Sequence, residues 1–286
     1  MLSILSAVGG LILSPLVGGL LTGVDRRLTA RLQSRLGPPL LQPFYDVFKL
    51  FGKEASVTNA WLVFSAYMTL ISSALALLIF FMGGDLLLLF FVLTVGAVFQ
   101  VVGALCVPSP YSNVGAQREL LLMLAYEPIL ILVFVGFAMC TGSFSIEAVF
   151  AQDQPLLLKM PLLFLALGYA LTIKLRKSPF DLSYSHHAHQ EIVRGVTTEM
   201  SGPTLGLVEV MHWCENVLFM GWVAMFFIWS NPLSIVLAVV VVLAVYFLEI
   251  WIDNNFARVK WQLMLKSAWA VALVAGGLNV AVLAYL

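Results

Sequence analysis

Eight long apolar segments decide what this chain can become. They run roughly over 2–24, 60–82, 86–108, 118–142, 156–175, 203–230, 233–252 and 262–286. Each is near or above the ~20 residues a helix needs to cross a bilayer. In lipid every backbone polar group must be satisfied within the chain, so helices are the expected form. Composition agrees. Of 286 residues 61% are hydrophobic and only 10% charged, whereas a soluble domain carries roughly 25% charged residues. The sequence therefore predicts an all-α integral membrane protein. It has about eight transmembrane helices and forms a single membrane domain over 1–286, since no internal repeat or flexible linker interrupts it. The first segment, Leu2 to Val24, has no basic stretch before it and is long enough to span, which argues against a cleaved leader.

The basic residues orient these spans. Arg26, Arg27, Arg31, Arg35, Lys49 and Lys53 lie in segment 25–58. Arg118 opens the fourth span. Lys174, Arg176, Lys177 and Arg194 lie in 174–202, and Arg258, Lys260 and Lys266 flank the last turn. Eight spans put all of these on one face of the membrane and leave Lys159 on the other. The positive-inside rule makes the basic face cytoplasmic and both termini outer. In LLQPFYDVFKLFGKE, Phe44, Val47, Phe48 and Phe51 follow i, i+3, i+4, i+7, with Asp46, Lys49 and Lys53 opposite. That pattern predicts a short amphipathic helix lying on the inner surface.

Redox and nucleotide sites are not signalled. Cys106, Cys140 and Cys214 are far apart in apolar surroundings, with no CxxC pair. There is no GxGxxG and no Walker A loop. Acidic groups at membrane depth carry more meaning, because each costs at least ~2.5–3.5 kcal/mol to insert. Glu127, in LLMLAYEPILIL, lies nine residues beyond Arg118, or ~13 Å into the bilayer. Pro128 beside it weakens the local helix bonding. Glu209, His212 and Glu215 stand at i, i+3, i+6 on one broad helix flank, where carboxylates and an imidazole could pass protons through water. The alternative for each is a structural hydrogen-bond partner. Glu249 and Asp253, at the inner end of the seventh span, are expected to be solvated helix-end charges. Asp85 and Glu147 fall in outer loops and are assigned nothing.

The polar chemistry is concentrated in RKSPFDLSYSHHAHQEIVRGVTTEMSG, residues 176–202. Three blocks of the chain together resemble a known membrane family. It contains the H subunit of NADH–quinone oxidoreductase (complex I) and its counterparts in energy-converting nickel–iron hydrogenases. The first block is DRRLTARLQSRLGPPLLQPFYDVFKLFGKE, residues 25–54. The second is YSNVGAQRELLLMLAYE, residues 111–127, ending on Glu127. The third comprises PFDL at 179–182 and EIVRGVTTEMSG at 191–202, which carries Glu191 and Glu199. The chain departs from the quinone-reducing members in one interval. Between PFDL and EIV they carry an acidic run, and here stands SYSHHAHQE with His186, His187 and His189. That segment, like HWCEN further on, looks most like the hydrogenase branch.

The resemblance implies a membrane-anchoring, proton-conducting subunit of a ferredoxin-dependent energy-converting hydrogenase, coupling hydrogen evolution or oxidation to ion translocation. The proton path would use Glu127, Glu191, Glu199, Glu209, His212 and Glu215. The inner loops 25–58 and 176–202 would dock a soluble arm through Asp25, Arg26, Arg35, Asp46, Lys53, Arg118, Asp181, His186, His187, His189 and Arg194. The chain itself would hold no metal and no redox centre. A nickel–iron centre and iron–sulfur clusters would sit in partner subunits. Those partners would be the hydrogenase large and small subunits, a ferredoxin-like iron–sulfur subunit and an antiporter-like membrane subunit, with no nucleic acid. The complex would lie in the inner (cytoplasmic) membrane, its soluble arm on the cytoplasmic side. Two other readings compete: the corresponding membrane subunit of a quinone-reducing complex I, and a stand-alone ion transporter, whose sequence sign would be repeats with broken helices.

Overall fold

The computed structural model of the chain describes residues 2–55, 59–183 and 194–285, with side chains from Ser6 onward. All regular structure among these residues is helical; an isolated antiparallel bridge joins Asp85 to Ser145. The helices are α1 Leu2–Leu32, α2 Gln42–Phe51, α3 Ala60–Phe81, α4 Leu86–Leu105, α5 Pro110–Thr141, α6 Ile146–Phe150, α7 Pro161–Lys174, α8 Gly202–Met225, α9 Leu233–Asn255, α10 Trp261–Val271 and α11 Gly277–Tyr285. A π-helical stretch, Ala272–Gly276, makes α10 and α11 continuous. By length and composition six of these rods can cross a membrane: α1, α3, α4, α5, α9 and the α10–α11 rod. The apolar α7 has only 14 residues. The 24 residues of α8 are diluted by Glu209, His212 and Glu215.

Two helices run further than hydropathy suggests. At the end of α1, the Thr29 hydroxyl donates to Asp25 at 3.3 Å, and Arg26 pairs with Asp46 of α2 at 2.6 Å. The helix continues to Leu32. There Ser34, at φ 56°, turns it off, and the N–H groups of Ser34 and Arg35 bond back to Arg31 and Ala30. This is the doubly bonded left-handed helix stop normally given to glycine. The other long helix, α5, begins at Pro110, whose missing N–H costs nothing at a helix start. The charges of Arg118 and Glu119 do not end the helix, because both find partners beside it.

Clustering of the backbone gives two compact units, with the division falling inside α4, α5 and α8. Unit 1 holds Met1–Met82, Phe90–Leu120 and Asp181–Val217. Small residues set its helix packing, as expected where lipid supplies no hydrophobic drive between helices. Gly96 and Gly103 on α4 lie against Ser72 and Ser65 on α3, so close that an added Cβ would sit 2.6 and 1.9 Å from their hydroxyls. On α1, Gly18 lies against the carbonyl of Trp213 on α8, and Gly19 against the Phe44 ring. Leu62, Ala66, Val107, Met200, Val208 and Met211 form an apolar cluster. The amphipathic α2 forms as its spacing predicts, with Pro43 and Val47 buried.

Unit 2 holds Gly83–Leu89, Leu121–Phe180 and Leu218–Leu286. Its core is aromatic: Phe134 and Phe219 pack on Trp222, and Phe137 and Phe164 on Phe226. Asn279 of α11 reaches the start of α7. Its side-chain oxygen accepts from the N–H of Leu162 and Leu163, and its amide donates to Lys159. A side chain 116 residues away in sequence thus fills the capping role that Met160 cannot. The Asp85 carboxylate caps α4 through the N–H of Leu87 and Leu88.

Candidate functional site

In unit 1 the polar stretch is fastened to the N-terminal part of α5. The Arg118 guanidinium donates to the carbonyl of Leu182 at 3.0 Å, and the Ser183 hydroxyl donates to Glu119. Both Ser183 and Glu119 are buried, Glu119 to 3% exposure. One turn earlier on α5, Gly115 lies under Gly195 and Val196, where an added Cβ would come within 2.5 Å of the Val196 nitrogen. Gly195 itself takes φ +66°, and the N–H of its neighbour Val196 donates to the Ser183 carbonyl. The start and the finish of the stretch are therefore pressed together on two successive turns of α5. Asp181 is buried in the same region, while Glu199, just past the 3₁₀ turn Gly195–Thr197, is half-buried.

A polar cleft of about 220 Å³ opens between the end of α1, α2 and the start of α8. Arg26, Asp46, Lys53, Arg194, Glu209 and Trp213 line it. Arg194 pairs with Glu209 at 3.5 Å, and the Gln42 amide supports Asp46 at 3.0 Å. The structure brings together Arg26, Asp46, Lys53 and Arg194 of the inner-loop residues expected from sequence, and joins Glu209 to them. Glu215 lies deeper on α8 and is buried, and His212 is half-buried. The three do not share one environment: Glu209 faces the cleft, Glu215 the interior. Asp25 is half-buried on α1, and Arg35 is exposed beside Gln33. His186, His187, His189 and Glu191 lie outside the described residues. Among the described residues no group of three or more His, Cys, Asp or Glu is placed to hold a metal ion.

In unit 2, Glu127 is half-buried on α5, with its Oε1 atom sealed from solvent. Its neighbour Tyr126 receives Lys174 of α7. The ammonium lies 3.4 Å from the phenol oxygen and 5.0 Å above the ring, and 5.3 Å from the Phe219 ring. Two aromatic faces thus hold a lysine at the end of α7, a favourable setting for a desolvated cation.

Sequence reasoning passes over two buried acids. Glu119 sits inside the second block, but its adjacent arginine reads as the helix start. Glu249 is expected to be solvated and is instead 1% exposed. It faces inward because Tyr246, Glu249 and Asp253 stand at i, i+3, i+7, a polar stripe on the one face of α9 that packs into unit 2. That stripe is legible in the sequence, and on a helix otherwise so apolar it marks the buried side.

A helical chain with six rods long and apolar enough to cross a membrane falls, by its physical make-up, in the class of multi-pass membrane proteins. Comparison with known proteins narrows this. Residues 5–284 match the NADH dehydrogenase family, and the chain belongs to it. It is 32% identical to hydrogenase-4 component C of Escherichia coli, covering 87% of this chain and 86% of that one. It is 28% identical to formate hydrogenlyase subunit 4 of the same organism, over 89% and 90%. It is 26% identical to the H subunit of NADH-quinone oxidoreductase from Syntrophotalea carbinolica, over 91% and 88%. In three dimensions it is similar to a chain of the membrane-bound sulfane sulfur reductase, an archaeal respiratory membrane complex. The TM-score is 0.88 at 26% identity, covering 99% of this chain and 100% of that one.

Proposed function

We propose that this chain is the membrane-anchoring, proton-conducting subunit of an energy-converting hydrogenase. One observation carries the reading: the polar stretch after α7 is bonded directly to a buried acid, through Ser183 on Glu119, on the same helix that carries Glu127. A charge change in a soluble arm resting on that stretch alters the field at Glu119 with little water to screen it. Protonation of Glu119, then of Glu127, Glu199, Glu215 and His212, follows the redox state of the arm. Glu191 belongs to this path by its motif.

The cleft residues Arg26, Asp46, Lys53, Arg194 and Glu209 form the docking surface, with the inner loops 25–58 and 176–202 around it. Partner subunits carry the nickel–iron centre and the iron–sulfur clusters and receive electrons from ferredoxin. An antiporter-like subunit lies alongside in the membrane. We place α7 and α8 in the bilayer with the six apolar rods, which gives eight spans, both termini outer and the arm on the cytoplasmic side. The replacement of the acidic run between PFDL and EIV by SYSHHAHQE supports hydrogenase over quinone chemistry.

The test uses the whole complex in sealed vesicles. Ferredoxin-driven hydrogen evolution should acidify or alkalinise the lumen, and Glu127→Gln or Glu119→Gln should abolish that change. Evolution and transport both unchanged in the variants would remove these residues from the path. Turnover with a quinone and not with ferredoxin would favour the complex I reading.

A further inference from the structure

Glu249 of unit 2 lies outside the path just described, beside Thr172, Lys177 and Asp253. Its carboxyl is 1% exposed. Among the described residues one oxygen accepts only the Thr172 hydroxyl, at 3.3 Å, and Thr172 shares that proton with the Gly168 carbonyl at 3.1 Å. The other oxygen, Oε2, is buried and has no hydrogen-bond partner among the described residues. An ionised carboxylate so poorly supported is costly to bury, whereas a neutral carboxyl is tolerable.

A cation is nonetheless held close by. The backbone stop of α7 puts it there. Arg176 takes φ 54°, and the N–H groups of Arg176 and Lys177 bond back to Ile173 and Thr172. This doubly bonded helix stop folds Lys177 back over the residue that serves Glu249. The Lys177 ammonium lies 3.4 Å from Asp253, one turn beyond Glu249 on α9, and both side chains are largely buried. Asp253 does not depend on the lysine alone. It also accepts the Ser178 N–H at 2.8 Å, and the Ser178 hydroxyl donates to the Phe256 carbonyl. Among the described residues the charged groups that act on Glu249 are Lys177, from the turn after α7, and Asp253, on α9 itself.

We propose that Glu249 is a proton-carrying site of its own, switched by Lys177 moving between two carboxylates. With Lys177 on Asp253, Glu249 holds its proton. When the ammonium turns to Glu249, the carboxyl O–H breaks, its electron pair stays on oxygen, and the proton passes to water. The ammonium then neutralises the new carboxylate, while Asp253 keeps the Ser178 N–H. Return of Lys177 to Asp253 restores the need for a proton at Glu249. The inference rests on the proposed proton-coupling role of the chain, and its test separates the two.

The test uses the whole complex. Infrared difference spectra between reduced and oxidised enzyme read protonation changes of individual carboxyls, and vesicles read proton transport. Glu249→Gln should remove one carboxylic-acid carbonyl band and lower transport by about a hundredfold or more, the order of loss expected when a proton-transfer group is deleted. Should that variant fail to assemble, Thr172→Val keeps the acid but removes its hydroxyl donor, and should shift the same band. A lost or shifted band together with reduced transport supports the proposal. An unchanged spectrum overturns it, and so does a lost band with transport at the wild-type rate. Absence of transport in the wild-type complex refutes the coupling role of the chain, while the band still reports whether Glu249 exchanges its proton.

Discussion

Replacing Gly195 by alanine tests whether the polar stretch depends on the close approach of Gly195 to Gly115 of α5. The added methyl meets two separate penalties. Gly195 has φ +66°, a conformation that costs an L-residue about 1–2 kcal/mol. Its Cβ would also stand 2.0 Å from the Ser183 carbonyl oxygen. That oxygen cannot simply yield, because it accepts the Val196 N–H and because the Ser183 hydroxyl is committed to Glu119. Relieving such overpacking costs a further ~1–3 kcal/mol. Gly142 supplies the control. It has φ +75° but nothing within 4 Å of an added Cβ, so Gly142→Ala meets only the backbone penalty. At ~2 °C per kcal/mol, Gly142→Ala should melt about 2–4 °C below the parent and Gly195→Ala about 4–10 °C below it. The assay is thermal unfolding of the detergent-solubilised complex, followed by tryptophan fluorescence. Ion transport should also fall in Gly195→Ala and stay unchanged in Gly142→Ala. Equal melting of the two variants would refute the close approach at Gly195, and with it the account of how the loop is fixed to α5.

Three further outcomes follow from the same geometry. Ser34→Gly relieves an exposed left-handed serine at the end of α1 and should raise stability by up to ~1 kcal/mol in the same melting assay. Asn279→Leu keeps the side-chain volume but orphans the N–H groups of Leu162 and Leu163 at the start of α7. Each orphan costs ~1–3 kcal/mol, so the variant should melt well below the parent, and a Leu278→Ala control should not. Arg194→Ala removes an exposed partner of Glu209 in the polar cleft. It should change fold stability by no more than ~1 kcal/mol, yet weaken association with the soluble arm in a salt-dependent way when the arm is stripped and rebound.

Much of the candidate site is readable without any fold, because membrane depth makes an acid conspicuous. Glu127 is visible in a run of leucine and isoleucine. The inner loops declare themselves by their arginines and lysines. Other residues are hidden for physical reasons. Glu119 stands beside Arg118, and a charged pair in sequence reads as a water-facing helix end. Only the fold shows that Leu182 and Ser183 take up both charges. Lys174 reads as one more positive residue of the inner loop, yet two aromatic rings hold it. The cap on α7 comes from Asn279, which no local pattern could supply.

What the sequence determined by itself was the class of solution: apolar length and scarcity of charge demand helices. These are one-dimensional quantities, fixed by hydrophobic transfer and by backbone hydrogen bonding within each segment. What the tertiary structure decided was which polar groups are buried together. Whether Glu249 meets water or meets Thr172 and Lys177 depends on which face of α9 packs inward. It depends equally on the left-handed stop at Arg176 that turns Lys177 back. Both are set by contacts between segments some 75 residues apart, where the energy of a charge depends on its neighbours and not on its position along the chain.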